Sequence, residues 1–244
     1  MLYTDAQQKQ LWPGDNGLNQ ALNARGMIGV FPDGVAGPVR GIRTWNAGNC
    51  CAYSQAADID DVGFIDKLVS RVRRQYSVDP DRVYAIGHSN GGMLSYRLAC
   101  ELPGVFAAIA PVEGAIDDTH PCRPRHRMNV LIIHGRLDRN VPWDGGSGTG
   151  YSQVDYASVT QAVDRWRRIN HCESTWTVTV DGALRTKDAQ GCDPDGAVRL
   201  RALADGNHEW PGGGDRSFIA GPPSHALDAT DDALDFFLAH PATS

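Results

Sequence analysis

The chain has 244 residues, 41% of them hydrophobic and 21% charged, which is enough apolar material for one substantial core and argues against wholesale disorder. A net charge of −6 leaves no basic footprint for nucleic acid, and no apolar run approaches the length of a membrane span. Met1-Leu2-Tyr3-Thr4-Asp5 lacks the basic and apolar stretches of a signal peptide.

No repeat, low-complexity tract or linker interrupts residues 1–244, so the chain reads as a single domain. Met27 to Phe31 is a short apolar run stopped by Pro32-Asp33-Gly34, a strand followed by a turn. From Ile59 to Tyr76, apolar residues at Val62, Ile65, Leu68, Val69, Val72 and Tyr76 keep helical spacing. Asp79-Pro80-Asp81 turns the chain into a buried strand at Val83 to Ile86, and Asn90 to Leu102 then reads as a helix ended by Pro103-Gly104. Further strands are expected at Phe106 to Val112 and Val130 to Ile133, with an amphipathic helix through Val159, Ala162, Val163, Trp166 and Ile169. Thr175 to Val180 and Val198 to Leu203 read as strands, and Asp231 to Ala239 closes the chain as a helix. Alternating strands and helices predict an α/β fold, a mostly parallel sheet with helices on both faces.

Between the Val83 strand and the Asn90 helix lies Gly87-His88-Ser89-Asn90-Gly91. A bare G-x-S-x-G is a weak signal, but a strand before it and a helix after it are the setting that a nucleophile elbow requires. The glycines permit a sharp turn that exposes the Ser89 hydroxyl, and the Asn90 backbone N–H at the helix start faces a developing oxyanion. A serine needs a base, and the base an orienting acid, in the chain order Ser, acid, His. Asp138 follows the strand that ends at Ile133, at the sheet edge where such sites lie; Asp144, beyond Pro142, is its nearest competitor. His208, in the loop after the last strand, is the best of eight histidines for the base. His134 at a strand end suggests packing or orientation, and His88 is held inside the elbow.

Six cysteines, Cys50, Cys51, Cys100, Cys122, Cys172 and Cys192, fit three disulfides and an oxidising compartment, against the alternative of reduced, partly buried thiols. Cys172 and Cys192 flank a two-stranded excursion and are expected to pair; Cys50 and Cys51 are then expected to reach Cys100 and Cys122 in either order. No C-x-x-C motif appears, and neither a metal nor a cofactor is expected.

The segments Phe31-Pro32-Asp33-Gly34, Arg43-Thr44-Trp45-Asn46-Ala47-Gly48 and Cys50-Cys51 resemble secreted polyhydroxybutyrate depolymerase and feruloyl esterase-type hydrolases of carbohydrate esterase family 1. The resemblance continues through Asp60 to Ile65, Gly87 to Met93, Ile133-His134-Gly135 with Asp138 and Val141-Pro142, and His208 to Gly213. It covers the chain from about Gly26 onward. It implies an α/β-hydrolase fold, a serine esterase with the triad Ser89, Asp138 and His208, and a small-molecule or polymeric ester as substrate. It also implies a disulfide-bonded protein that is secreted or periplasmic. His88, Trp143 and Trp210 are candidates to line the acyl crevice, with ordinary packing the alternative for the two tryptophans. No nucleic-acid or membrane partner is expected, and the sequence leaves room for a homo-oligomer.

Relative to that family the chain reads as N-terminally truncated. Members carry strands before the segment matching Met27 to Phe31, one ending in a His-Gly loop that supplies a second oxyanion donor. Nothing in Met1 to Arg25 resembles that strand or loop, and Asp15 to Arg25 reads as the helix that follows it. The missing strand belongs between those at Met27 and Val83. A misplaced start, a sheet that has closed up, or another chain filling the gap are the three explanations. A scaffold that binds a ligand or partner chain without catalysis is accordingly the alternative function.

Overall fold

The computed structural model describes residues 17–38, 42–122, 124, 126–150, 152, 154–214 and 221–242. Met1 to Asn16, on which the reading of a missing leader and a missing strand rests, lie outside the described residues. Two short antiparallel ladders stand apart from the main sheet: β1 (Val35–Ala36) with β2 (Arg43–Thr44), and β6 (Gly146–Ser147) with β7 (Asp155–Tyr156). Among the described residues the main sheet has six strands, β3 (Tyr84–His88), β4 (Ala108–Val112), β5 (Asn129–Gly135), β8 (Trp176–Asp181), β9 (Leu184–Ala189) and β10 (Val198–Leu203), in the order β3-β4-β5-β10-β9-β8. The first four run parallel, and β9 and β8 complete the sheet antiparallel as a hairpin. The fold is that of an α/β-hydrolase sheet with helices on both faces.

Among the described residues six α-helices accompany these strands: α1 (Leu18–Ala24), α2 (Ala52–Ala56), α3 (Asp61–Gln75), α4 (Asn90–Glu101), α5 (Val159–Ile169) and α6 (Ala229–Ala239). Capping sets where several begin. The Asp60 carboxylate accepts from Gly63 N–H to start α3, and Ser158 with Gln161 forms a capping box on α5. Strand alternation then divides the core. Ile109, Val130, Ile132 and Leu200 face α3, α4 and α5 on one side. Ala108, Ala110, Leu131, Ile133 and Leu203 face α1 and α6 on the other.

Two expectations are corrected. Met27 to Phe31 does not pair as a strand; the segment runs beside β3 without joining the sheet. A cavity of about 400 Å³ separates the two, lined by Met27 to Val30, by Tyr84 to Ile86 of β3, and by side chains of α3 and α6. Among the described residues no strand pairs with β3 on that side. The cysteine pairing also differs: the bridges are Cys50–Cys51, Cys100–Cys122 and Cys172–Cys192. Cys51 Sγ lies 4.0 Å from Met93 Sδ in the first turn of α4, whereas Cys100 is about two helical turns farther along, roughly 10 Å at 1.5 Å per residue. Cys50 and Cys51 are thus held at one end of α4, and Cys100 meets Cys122 at the other. The Cys172–Cys192 bridge ties the base of the β8–β9 hairpin, as its flanking position suggested.

Candidate active site

Ser89 occupies the turn between β3 and α4 with φ 53° and ψ −121°, a region that residues other than glycine enter at a cost of order 1–3 kcal/mol. Its N–H donates to the Val112 carbonyl at 2.8 Å, so the end of β4 holds the turn in place. The first turn of α4 crosses so close to β3 that a Cβ on Gly87 would strike the Gly91 carbonyl. Glycine at 87 is required by that approach.

Parallel pairing brings the C-terminal ends of β3, β4, β5 and β10 to one edge, and the loops leaving β5 and β10 carry Asp138 and His208. His208 Nε2 is 2.9 Å from Ser89 Oγ, and His208 Nδ1 is 2.8 Å from Asp138 Oδ2. Asp138 Oδ1 accepts from the Asn140 and Val141 N–H groups at 2.8 and 2.9 Å. Because an ionised carboxylate only accepts, Nδ1 carries the imidazole hydrogen and Nε2 turns its lone pair to the serine hydroxyl. Burial pushes the Asp138 carboxyl up, but the facing His208 with its hydrogen bond, and His134 alongside, outweigh it and hold Asp138 below the usual carboxylate range. Asp144, the competing acid, is exposed and outside this array.

Asn90 is the first residue of α4, so its N–H has no acceptor within the helix and sits beside Ser89. Its side chain turns away: Oδ1 accepts from Trp45 N–H at 2.7 Å, and Nδ2 donates to the Trp45 carbonyl at 3.0 Å. This clamp fixes the Trp45-Asn46 loop against the elbow, a function not read from the sequence although both segments stood out there. His88 is buried, its ring centroid 5.1 Å from that of His208. For Trp210 the structure shows the packing alternative. Its ring is 1% exposed, its Nε1 donates to Thr230 Oγ1, and it packs edge-on beneath His88 because the loop after β10 folds inward onto α6. Trp143 likewise packs inward, edge-on to His134 with the Arg136 guanidinium over its ring.

Sequence reasoning missed Glu113. It follows β4, is fully buried, and accepts from the Gly135 N–H through both carboxylate oxygens. Glu113, His134 and Asp138 offer ligand atoms that all lie within 4.8 Å of one another. The hydrogens aimed at these carboxylates come from the Gly135, Asn140 and Val141 backbone and from His208. No sequence motif marks Glu113, because only the β4–β5 pairing brings it to Asp138.

Residues 17–120 match the family model described as the prolyl oligopeptidase family. Over 245 aligned residues the chain is 30% identical to "Putative esterase NocK" of Nocardia uniformis subsp. tsuyamanensis, covering 91% of this chain and 68% of that protein. It is 32% identical to feruloyl esterase B of Piromyces equi over 165 residues, 65% of this chain and 29% of that one. Among solved structures, acetyl xylan esterase from Aspergillus awamori superposes with a TM-score of 0.48 at 13% identity, covering 72% of this chain and 66% of that chain.

Proposed function

We propose that this chain, which belongs to the α/β-hydrolase esterase family of its Nocardia uniformis relative, hydrolyses carboxylic esters by acyl transfer through Ser89, His208 and Asp138. The observation that carries this reading is the unbroken hydrogen-bond line from Ser89 Oγ through His208 to Asp138. Ser89 Oγ attacks the ester carbonyl while its proton passes to His208 Nε2. Asp138 fixes the tautomer and stabilises the imidazolium that forms. His208 then protonates the departing alcohol, and a water activated by the same nitrogen releases the acid. The Asn90 N–H and the N-terminal end of α4 stabilise the tetrahedral oxyanion.

Aryl acetates, feruloyl esters, acetylated xylan and polyhydroxyalkanoate form the substrate panel, the middle two favoured because relatives carry those names. Three disulfides favour an oxidising compartment, outside the cell or periplasmic. The prolyl oligopeptidase match makes peptide hydrolysis the second reading, tested by a peptide panel beside the esters. Stoichiometric labelling by an organophosphonate, abolished in Ser89→Ala, is the expected result. Ester turnover by Ser89→Ala equal to that of the parent, or a folded parent that takes up no label, overturns the assignment.

A further inference from the structure

Asp138 and Glu113 are both shielded from water, and they lie within 4.8 Å of each other with His134 between them. Two buried carboxylates at that separation do not both stay ionised without a cation to divide them. His134 does not fill that role directly. Its Nε2 hydrogen goes to the Val141 carbonyl at 2.9 Å and stands 3.4 and 3.5 Å from the two carboxylates.

Donor count decides which group keeps its charge. Asp138 receives three hydrogen bonds at 2.8 to 2.9 Å, from Asn140 N–H, Val141 N–H and His208 Nδ1. Glu113 receives one backbone N–H, shared between its two oxygens. Hydrogen bonds to a carboxylate favour its charged form, so the proton settles on Glu113. Tyr156 on β7 also faces Asp138, and burial together with that carboxylate pushes its phenol up and so keeps it neutral. The backbone supports a built arrangement. Glu113 has φ 49°, a left-handed conformation unusual for glutamate, while its N–H is tied to the Ile133 carbonyl.

We propose that Glu113 is a positioning residue for the triad, a neutral carboxylic acid that donates a hydrogen bond to Asp138 while accepting from Gly135 N–H, and so holds Asp138 on His208. The inference rests on the esterase reading for its catalytic half only. Burial and the facing Asp138 push the Glu113 carboxyl well above its ordinary value, in keeping with this assignment.

The test uses Glu113→Leu and Glu113→Gln in the full chain. Loss of a hydrogen bond to a charged group predicts a 10–100-fold fall in kcat for Glu113→Leu with KM little changed. Glu113→Gln, whose amide can donate to Asp138, recovers most of that loss without moving the acid limb of kcat/KM. An ionised Glu113 would behave otherwise: its replacement by glutamine removes a negative charge near His208 and shifts that limb to lower pH, which overturns the proposal. Full activity in Glu113→Leu also overturns it.

Stability against pH gives an independent readout that needs no turnover. A carboxyl whose pKa rises on folding stabilises the fold fully below its unfolded value, and that stability drains away as pH climbs toward the folded value. Above about pH 4.3 the parent therefore loses about tenfold in folding constant per pH unit relative to Glu113→Gln. Parallel stability curves overturn the proposal even if the parent proves to have no esterase activity. Should Glu113→Leu fail to fold, the infrared spectrum of the parent stands in. A protonated-carboxyl band persisting at neutral pH and missing from Glu113→Gln supports the assignment, and its absence from the parent overturns it.

Discussion

The two sides of β3 differ sharply. On its inner side and at its C-terminal end, β3 pairs with β4, feeds the Ser89 turn and meets loops from β5 and β10, so that Ser89, His208 and Asp138 have defined partners. On its outer side no described strand pairs with it, and the cavity of about 400 Å³ separates it from Met27 to Val30. The contrast teaches that the Ser89–His208–Asp138 hydrogen-bonded array is assembled from the interior of the sheet outward. Its three residues depend on the β3–β4–β5–β10 order and on the close approach of α4, and none of them depends on what lies beyond β3.

Three measurements bear on that contrast, the largest effect first. Asp138→Asn leaves the fold in place but forces the wrong imidazole tautomer; ester turnover is expected to fall about 10⁴-fold in steady-state assays, with little change in Tm. A loss of only a few-fold would mean that another acid orients His208. Phe237→Ala acts on the other side, where the ring stacks on Tyr84 of β3 at 4.7 Å and lines the cavity. It should cost about 3 kcal/mol in denaturant unfolding while turnover per folded, phosphonate-titrated molecule stays at the parent value. A matching collapse in turnover would show that the open side does govern the site.

The smallest effect is in amide exchange. The Val83 carbonyl and Ser89 N–H both point to β4, so by alternation Ala85 and Gly87 face it as well, and the Tyr84 and Ile86 N–H groups point to the open side. Those two should exchange faster than Ala85 and Gly87, by the factor that separates edge from ladder amides. Equal protection across the four would mean that the outer edge is covered in solution.

Much of this was legible in the chain itself, for reasons that vary by element. The Asp61–Gln75, Asn90–Glu101 and Val159–Ile169 helices and the four parallel strands carry strong periodicity with clear stops, and periodicity is a local property. The Met27 to Phe31 run has the composition of a strand, yet pairing needs a neighbour at hydrogen-bonding distance, and the nearest one stands across a cavity. Likewise Leu184-Arg185-Thr186-Lys187-Asp188-Ala189 lacks a strand's apolar signal, because β9 is held by its two antiparallel neighbours and the Cys172–Cys192 tie.

The sequence by itself determined the elbow, the chain order of serine, acid and histidine, and the alternation that places all three at one sheet edge. Each follows from short-range geometry: a glycine where backbones cross, a strand end, a helix start. Tertiary structure alone decided how Cys50, Cys51, Cys100 and Cys122 pair, that the Asn90 side chain clamps Trp45, that Trp210 turns inward, and that Glu113 stands behind Asp138. These depend on the length of α4 and the order of the strands, and contacts made across a sheet leave no spacing in the chain from which they can be read.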